Sequence, residues 1–394
     1  MSVLHKIKKS ALPKRIFRVA FRVMGLLPRK KKTVFFESFH ARQYSDSPRA
    51  IYEYMRKHYP EYRLVWSIDK RSTELFERHG VPYVKRFTPK WFMEFPRAKY
   101  WVNNVRLPGW MPKPPGTIYV QTWHGTPLKK LGLDIETVHM PGTDTGNYRR
   151  NFLNESSKWD FLVSPNPYST KIFKRAFGFK GKVIESGYPR NDLLTNFAEL
   201  DVRSVREALG IPNGKKVMLY APTWRDHEFY EKGKYKFDFQ FDLEKWKDQF
   251  SDEWVLLTRM HYLIAENFDF SGYDGAVIDV SHYPDIRDLY IASDLLITDY
   301  SSVFFDYSVL GRPIIFYMYD LDQYRDQLRG FYFAIEEEAP GPIVRTEGEL
   351  FDVIRNIRQL QPEKSEAYRK FQQTFTSLED GHAAERVVNT FLGT

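Results

Sequence analysis

The sequence contains no cysteine, which removes disulfides, thiolate nucleophiles and sulfur-ligated zinc from consideration and fits a reducing compartment. It contains no apolar run of the ~18 residues that a membrane-spanning helix requires. It has no G-x-G-x-x-G fingerprint of a dinucleotide oxidoreductase and no internal repeat or low-complexity tract. Residues 1–32 hold no Asp or Glu at all, yet they carry eleven basic side chains: Lys6, Lys8, Lys9, Lys14, Arg15, Arg18, Arg22, Arg29, Lys30, Lys31 and Lys32. The chain has 59 Lys and Arg against 50 Asp and Glu, a net charge of +9, so the body beyond residue 32 is left with −2. The excess charge therefore belongs to the N-terminus. A nucleic-acid-binding body, which needs a basic stripe of its own, is disfavoured.

What is present is a globular composition, 42% hydrophobic and 28% charged, with 31 Phe and 25 Tyr in 394 residues. That length exceeds one ordinary core and predicts two domains. In the basic N-terminus, Leu4, Ile7 and Ala11 share one helical face. After Pro13, the residues Ile16, Ala20, Val23 and Leu27, with Phe17, Phe21 and Met24, form a broad apolar stripe opposite Lys14, Arg18 and Arg22. The h-region of a signal peptide does not carry Arg18 and Arg22. The pattern predicts a segment, residues 1–32, that lies on an anionic membrane surface and holds the protein at the cytoplasmic face as a peripheral protein. A helix packed on its own body or on a partner is the other reading of the same residues.

Beyond residue 32, short β-rich runs alternate with helical stretches, as in parallel sheets with crossover helices. Strands are expected at 34–37, 63–68, 81–85, 100–103, 118–122, 161–164 and 183–186. A second series is expected at 217–220, 254–258, 276–280, 295–298 and 314–317. Turn chemistry around Gly210, Pro212, Asn213 and Gly214 places the boundary near 195–214. The expected organisation is an N-terminal Rossmann-like domain over 33–200, a C-terminal one over 201–365, and helices over 366–394. Two doubly wound sheets predict a ligand held in a cleft at the carboxyl ends of strands.

Chemistry-bearing residues do follow strands. Gln121-Thr122-Trp123-His124-Gly125-Thr126-Pro127 comes directly after one. There Gly125 permits close backbone approach, Thr126 and Pro127 read as an N-cap with proline at the first helical position, and His124 is placed to take a proton. A lone histidine in a tight turn is more often structural. Arg259-Met260-His261 follows a strand of the second half and suits an anion, as it also suits a surface ion pair. Thr298-Asp299-Tyr300-Ser301-Ser302 leads into a helix expected over 303–310, whose free N–H groups with Ser301 and Ser302 make an anion site, or a helix cap. Asp306, one turn on, can accept a polyol hydroxyl. Weaker signals are Pro222-Thr223-Trp224-Arg225, Gly187-Tyr188-Pro189-Arg190, and Gln43-Tyr44-Ser45-Asp46-Ser47-Pro48, in which Asp46 faces an acceptor. The Asp320-Leu321-Asp322 triplet looks like a metal-binding D-x-D, a pattern frequent by chance.

Taken together, Phe36-Glu37-Ser38-Phe39-His40, Gln121 to Pro127, Ser164-Pro165-Asn166-Pro167-Tyr168-Ser169-Thr170, Arg259 to His261 and Thr298 to Ser302 resemble the CDP-glycerol glycerophosphotransferases of teichoic acid synthesis, and the resemblance runs through residues 33–380. It implies an α/β fold of the GT-B type, with donor binding in the C-terminal domain, no cofactor and no active-site metal. It implies transfer of glycerol phosphate from CDP-glycerol to the terminal glycerol phosphate of an undecaprenyl-diphosphate-linked wall teichoic acid primer, with CMP released. Carried over residue by residue, it implies a CDP-glycerol site of Trp123, His124, Gly125, Thr126, Pro127, Arg190, Pro222, Thr223, Arg259, Met260, His261, Ser301, Ser302 and Asp306. His124 would be the base, with His261 and Arg259 stabilising charge. A primase adding the first unit and a CDP-ribitol-using relative are alternatives within the class. A basic membrane- or nucleic-acid-binding protein is the alternative outside it.

Overall fold

A computed structural model describes residues 11–137, 144–223, 229–231, 234–235, 239–260, 270–273, 275–324 and 330–393. Lys6, Lys8, Lys9, Trp224, Arg225 and His261 lie outside the described residues. The chain forms two compact units. One comprises the chain up to His124, Leu131–Asp192 and everything from His382 on; the other comprises Gly125–Lys130 and Leu193–Gly381. The units interleave along the chain, where the sequence reading had drawn contiguous blocks.

The first unit is built on β1 (Lys30–Glu37), β2 (Arg63–Ile68), β3 (Tyr83–Lys85), β4 (Ala98–Asn103), β5 (Ile118–Gln121), β6 (Phe161–Ser164) and β7 (Lys182–Glu185). All pair in parallel, in the order β3-β2-β1-β4-β5-β6-β7. Runs such as Leu64, Val65, Trp66, Ser67 and Ile68 are buried at every position, as a sheet covered on both faces requires. On one face, Phe36, Trp66, Val102 and Val163 pack with Ile51 and Met55 of the helix Asp46–His58 and with Val387, Val388 and Phe391 of the helix Ala383–Leu392. The last helix therefore completes the first unit's core. The winding reverses between β1 and β4, which opens a crevice at the carboxyl ends of those two strands.

The helix Ala11–Gly25 seats Phe17 and Phe21 among Phe87, Trp91, Phe92, Phe95, Trp101 and Trp110. One side of the basic segment thus packs on its own body, while Ile16, Val19 and Val23 remain 54–60% exposed and Leu26, just past the helix, 79%. Not all of its cations face outward. Arg29 donates to the carbonyls of Pro96 and Ala98 and to the Thr117 hydroxyl. Lys30, Lys31 and Lys32 already belong to β1.

The second unit holds β8 (Lys216–Ala221), a small antiparallel pair β9 (Phe229–Glu231) and β10 (Lys234–Tyr235), then β11 (Trp254–Thr258), β12 (Val277–Asp279), β13 (Leu295–Thr298), β14 (Ile314–Tyr317) and β15 (Ile343–Val344). Its six-stranded sheet is parallel, in the order β12-β11-β8-β13-β14-β15. Counted from β8 this is the same winding as in the first unit, with its reversal between β8 and β13. Met218, Leu256, Ile297 and Ile315 pack with Trp246 of the helix Leu243–Phe250 and with Leu350, Phe351 and Ile354 of the helix Glu347–Arg355. The architecture is thus two Rossmann-like parallel domains. The strands expected at 63–68, 161–164, 254–258, 295–298 and 314–317 have those bounds.

Two expected helices differ. Thr126 and Pro127 do not open a helix; the segment runs extended, and Lys130 N donates to Gly330 O at 2.9 Å while Tyr332 N donates to Leu128 O at 2.8 Å. An isolated bridge, Lys129 to Phe331, results. The proline's missing N–H costs nothing there, because the amides that need partners are those of Lys130 and Tyr332. The helix expected over 303–310 is α-helical only over Val303–Tyr307, then tightens to a 3-10 turn over Ser308–Leu310, ended by Gly311 at φ +64.

Candidate active site

In the first unit, the ends of β1, β4 and β5 carry the relevant groups. After β5, Thr122 N donates to Asn103 O at 2.9 Å and Trp123 N to Gln121 Oε1 at 3.0 Å, bending the chain so that Trp123 takes φ +54. That conformation is uncommon for a side chain with a Cβ and is retained where packing enforces it. The packing here is aromatic. Trp123 lies on Phe177 with ring centroids 4.5 Å apart, and His124 stacks on Trp123 at 4.5 Å with the ring planes 29° apart. Phe39 closes the imidazole's edge at 5.8 Å. Trp123 is a buried platform for His124.

His124 Nδ1 lies 2.7 Å from the Asn104 carbonyl oxygen. A carbonyl can only accept, so Nδ1 carries the hydrogen and Nε2 keeps a lone pair. Burial pushes the imidazole's pKa below its usual value, against the Asn104 hydrogen bond and the Asp46 charge, and with help from Arg190 and Arg106. The result favours a neutral imidazole whose lone pair is on Nε2. Asn104 itself is fully buried; its Oδ1 accepts from Phe39 N at 2.9 Å and its Nδ2 donates to Ser38 Oγ at 3.3 Å. Sequence reasoning missed Asn104. The polar doublet Asn103-Asn104 closing an apolar strand was the available signal.

Asp46 and Arg190 come together in this unit: Arg190 Nη1 sits 3.3 Å from Asp46 Oδ2, with both side chains at least nine-tenths buried, and the guanidinium stands 4.1 Å over the Tyr188 ring. The resemblance had placed Arg190 at the donor, and the local sequence pattern had placed Asp46 at an acceptor. The structure makes them one buried ion pair whose charges both act on His124.

In the second unit, the ends of β8, β11 and β13 carry the candidate residues. Asp299 Oδ1 accepts from Thr223 N at 2.7 Å and from Tyr300 N, fastening the Pro222-Thr223 turn to the β13 end across the winding reversal. Thr298 Oγ1 adds a bond to Ala221 O at 2.7 Å. Asp299 was a residue in a quoted motif, without a role. Gly125 abuts this turn so closely that a Cβ there would stand 2.8 Å from Ser302 Oγ, which explains why glycine occupies position 125. Among the described residues, the hydroxyls of Ser301 and Ser302 make no hydrogen bond, and Ser302 does not cap its helix. With only five α-helical residues following, the hydroxyls matter here more than a helix dipole. Asp306 is buried within that helix.

Arg259 Nη1 donates to the carbonyls of Val280 at 3.0 Å and Tyr283 at 2.9 Å. Met260 is held by its own N–H donating to Ser281 Oγ at 2.9 Å. Among the described residues no carboxylate forms an ion pair with Arg259, and burial lowers its pKa. Held by two neutral carbonyls, with Asp285 and Asp279 acting on it only through space, the buried guanidinium suits an anionic ligand. The acidic triplet has other occupations: Asp320 Oδ1 accepts from Tyr300 OH at 3.0 Å, and Asp322 pairs with Arg345 at 3.2 Å.

The model of a family described as CDP-Glycerol:Poly(glycerophosphate) glycerophosphotransferase matches residues 19–393. The teichoic acid poly(glycerol phosphate) polymerase of Bacillus subtilis (strain 168) is 51% identical over 393 residues, 99% of this chain and 53% of that protein, so this chain spans little more than half of that relative's length. The teichoic acid glycerol-phosphate transferase of Staphylococcus aureus (strain NCTC 8325 / PS 47) is 50% identical over 374 residues, 94% of this chain and 95% of that protein. A solved structure of the wall teichoic acid polymerase TagF with CDPG has a TM-score of 0.88 and 41% identity, covering 99% of this chain and 96% of that one.

Proposed function

We propose, because the chain belongs to the CDP-glycerol:poly(glycerophosphate) glycerophosphotransferase family, that it transfers glycerol phosphate from CDP-glycerol to the terminal glycerol phosphate of a lipid-linked teichoic acid primer. The observation that carries the chemistry is the His124 imidazole, whose Nδ1 is committed to Asn104 O and whose Nε2 is free to accept a proton. The acceptor's terminal hydroxyl oxygen attacks the phosphorus that bears the donor glycerol. Its proton passes to Nε2, the new P–O bond forms, and the bond from that phosphorus to the bridging oxygen breaks, so that CMP leaves with the electron pair. Arg259, Ser301 and Ser302 hold the diphosphate and take up the charge developing on the leaving phosphate. His261 joins them in this reading.

The test is mass spectrometry of products from CDP-glycerol and primers carrying zero, one or several glycerol phosphates. Expected are CMP and mass increments of one glycerol phosphate on primers that already carry one. CMP release with CDP-ribitol but none with CDP-glycerol sinks the reading.

The lipid-linked acceptor calls for a protein at a membrane surface. Among the described residues no helix is long and apolar enough to cross a membrane. The exposed Ile16, Val19, Val23, Leu26 and Leu27, flanked by exposed Lys14, Arg15 and Arg22, form an apolar face with a cationic border. Such a face enters the headgroup region of an anionic leaflet, each cation near the surface adding about 1 kcal/mol. Val19→Glu with Leu26→Glu is expected to lower cosedimentation with anionic liposomes at least about tenfold, since apolar contact turns into charge repulsion. Unchanged cosedimentation removes this face from the membrane.

A further inference from the structure

The winding reversal of the first unit carries more positive charge than the base needs. After β1, the residues Phe39, His40 and Ala41 all take left-handed backbone conformations, φ +42, +61 and +69. Three such residues in a row are costly and persist where the surroundings hold them. Here Asn104 Oδ1 accepts from Phe39 N, and Ala41 O accepts from Asp69 N at 2.7 Å. The turn thrusts His40 and Arg42 into solvent, and both are exposed.

Two further arginines converge on it. Arg86, just past β3, has a side chain only 9% exposed; it donates Nη1 to His40 O at 3.3 Å and lies 3.5 Å from the buried Glu37. Its Nε and Nη2 have no hydrogen-bond partner among the described residues, so a nine-tenths buried cation retains unsatisfied donors directly beneath the turn. Arg106, just past β4, is pinned by its guanidinium lying over the rings of Phe152 at 4.6 Å and Tyr148 at 5.5 Å. Among the described residues it has no carboxylate partner. Partial burial of the ring, with the charges of Arg86, Arg42 and Arg106, lowers the His40 pKa. Acidic groups near the turn do not balance them: Glu37 faces Arg86 at 3.5 Å, and Asp69 is chelated by Arg71.

We propose that His40, Arg42 and Arg106, backed by the buried Arg86, form a phosphodiester-binding subsite in the first unit that grips the penultimate phosphate of the acceptor and so presents its terminal hydroxyl to His124. This rests on the transfer reaction proposed above and adds the acceptor's location to it. A planar guanidinium pinned on aromatic rings meets a phosphate with little ordering cost, and a chain with one phosphate per glycerol is the ligand such a cluster suits. Glu37 and Asp46, both already paired with arginines, offer that phosphate no repelling free carboxylate.

The experiment is calorimetric titration of the full chain with a soluble glycerol phosphate trimer and, separately, with CDP-glycerol. Arg42→Ala and Arg106→Ala, at surface and half-buried positions, and Arg86→Gln, with a circular dichroism melt as the folding control, are each expected to weaken trimer binding by about tenfold or more, since a charged hydrogen bond is lost. The salt dependence of trimer binding becomes shallower, and CDP-glycerol affinity stays within about twofold of wild type. Equal trimer affinity in wild type, Arg42→Ala and Arg106→Ala overturns the subsite, as does loss of CDP-glycerol affinity in Arg106→Ala, which would place the donor there. Weakened trimer binding in a protein that releases no CMP from CDP-glycerol keeps the subsite and sinks the transfer reaction instead.

Discussion

His124→Ala is expected to lower the transfer rate by about 10²- to 10⁴-fold, the span covered by a positioned general base, and to leave CDP-glycerol binding nearly intact. The variant keeps Trp123 on Phe177 and Asn104 in the strand end, so the loss falls on kcat. A pH profile sharpens the assignment. The working form is the neutral imidazole, present above its pKa, and burial moves that pKa down. The acid limb of kcat/KM is therefore expected below the ordinary imidazole value of about 6.5, and activity persists at pH values where a solvent-exposed histidine is already protonated. Full activity in His124→Ala, or an acid limb above that value, removes His124 as the base.

The second large effect is expected at Arg259. Arg259→Ala removes the one cation that the ends of β8, β11 and β13 hold among the described site residues, and kcat/KM falls by about 10²- to 10³-fold, as for loss of a charge-stabilising donor. Arg259→Lys does not rescue it. An ammonium has no fork with which to satisfy the carbonyls of Val280 and Tyr283 while facing an anion. Either variant orphans those carbonyls and costs about 1–3 kcal/mol of stability, so melting must be measured beside rate. A lowered Tm with unchanged kcat/KM makes Arg259 a strut and sends the diphosphate elsewhere.

The long parallel strands were legible because burial on both faces writes them as continuous apolar runs, as in 254–258 and 295–298. The two-residue β15 and the small pair β9 and β10 are too short to leave such a run. The winding reversals were not visible either, although the motifs that sit on them were. The clearest misreading was Thr126-Pro127. Local chemistry there favours a helix start, but hydrogen bonds to Gly330 and Tyr332, some two hundred residues away, decide for extended chain, and no local pattern records them. Asn104 escaped notice for a related reason, since it acts on His124 through its backbone carbonyl, which every residue possesses. Arg190 was read as a donor-site residue, and its buried pairing with Asp46, distant in sequence, left no local trace.

The chain passes from one unit to the other four times, after His124, Lys130, Asp192 and Gly381. No single cut in the gene can therefore release either half whole. A fragment ending at Asp192 forfeits the closing helix whose Val387, Val388 and Phe391 seal the first core, and Asp192 loses the amides of Ala383 and Ala384 that its carboxylate holds at 2.8 Å. The two units are inherited together, as one indivisible length of polypeptide.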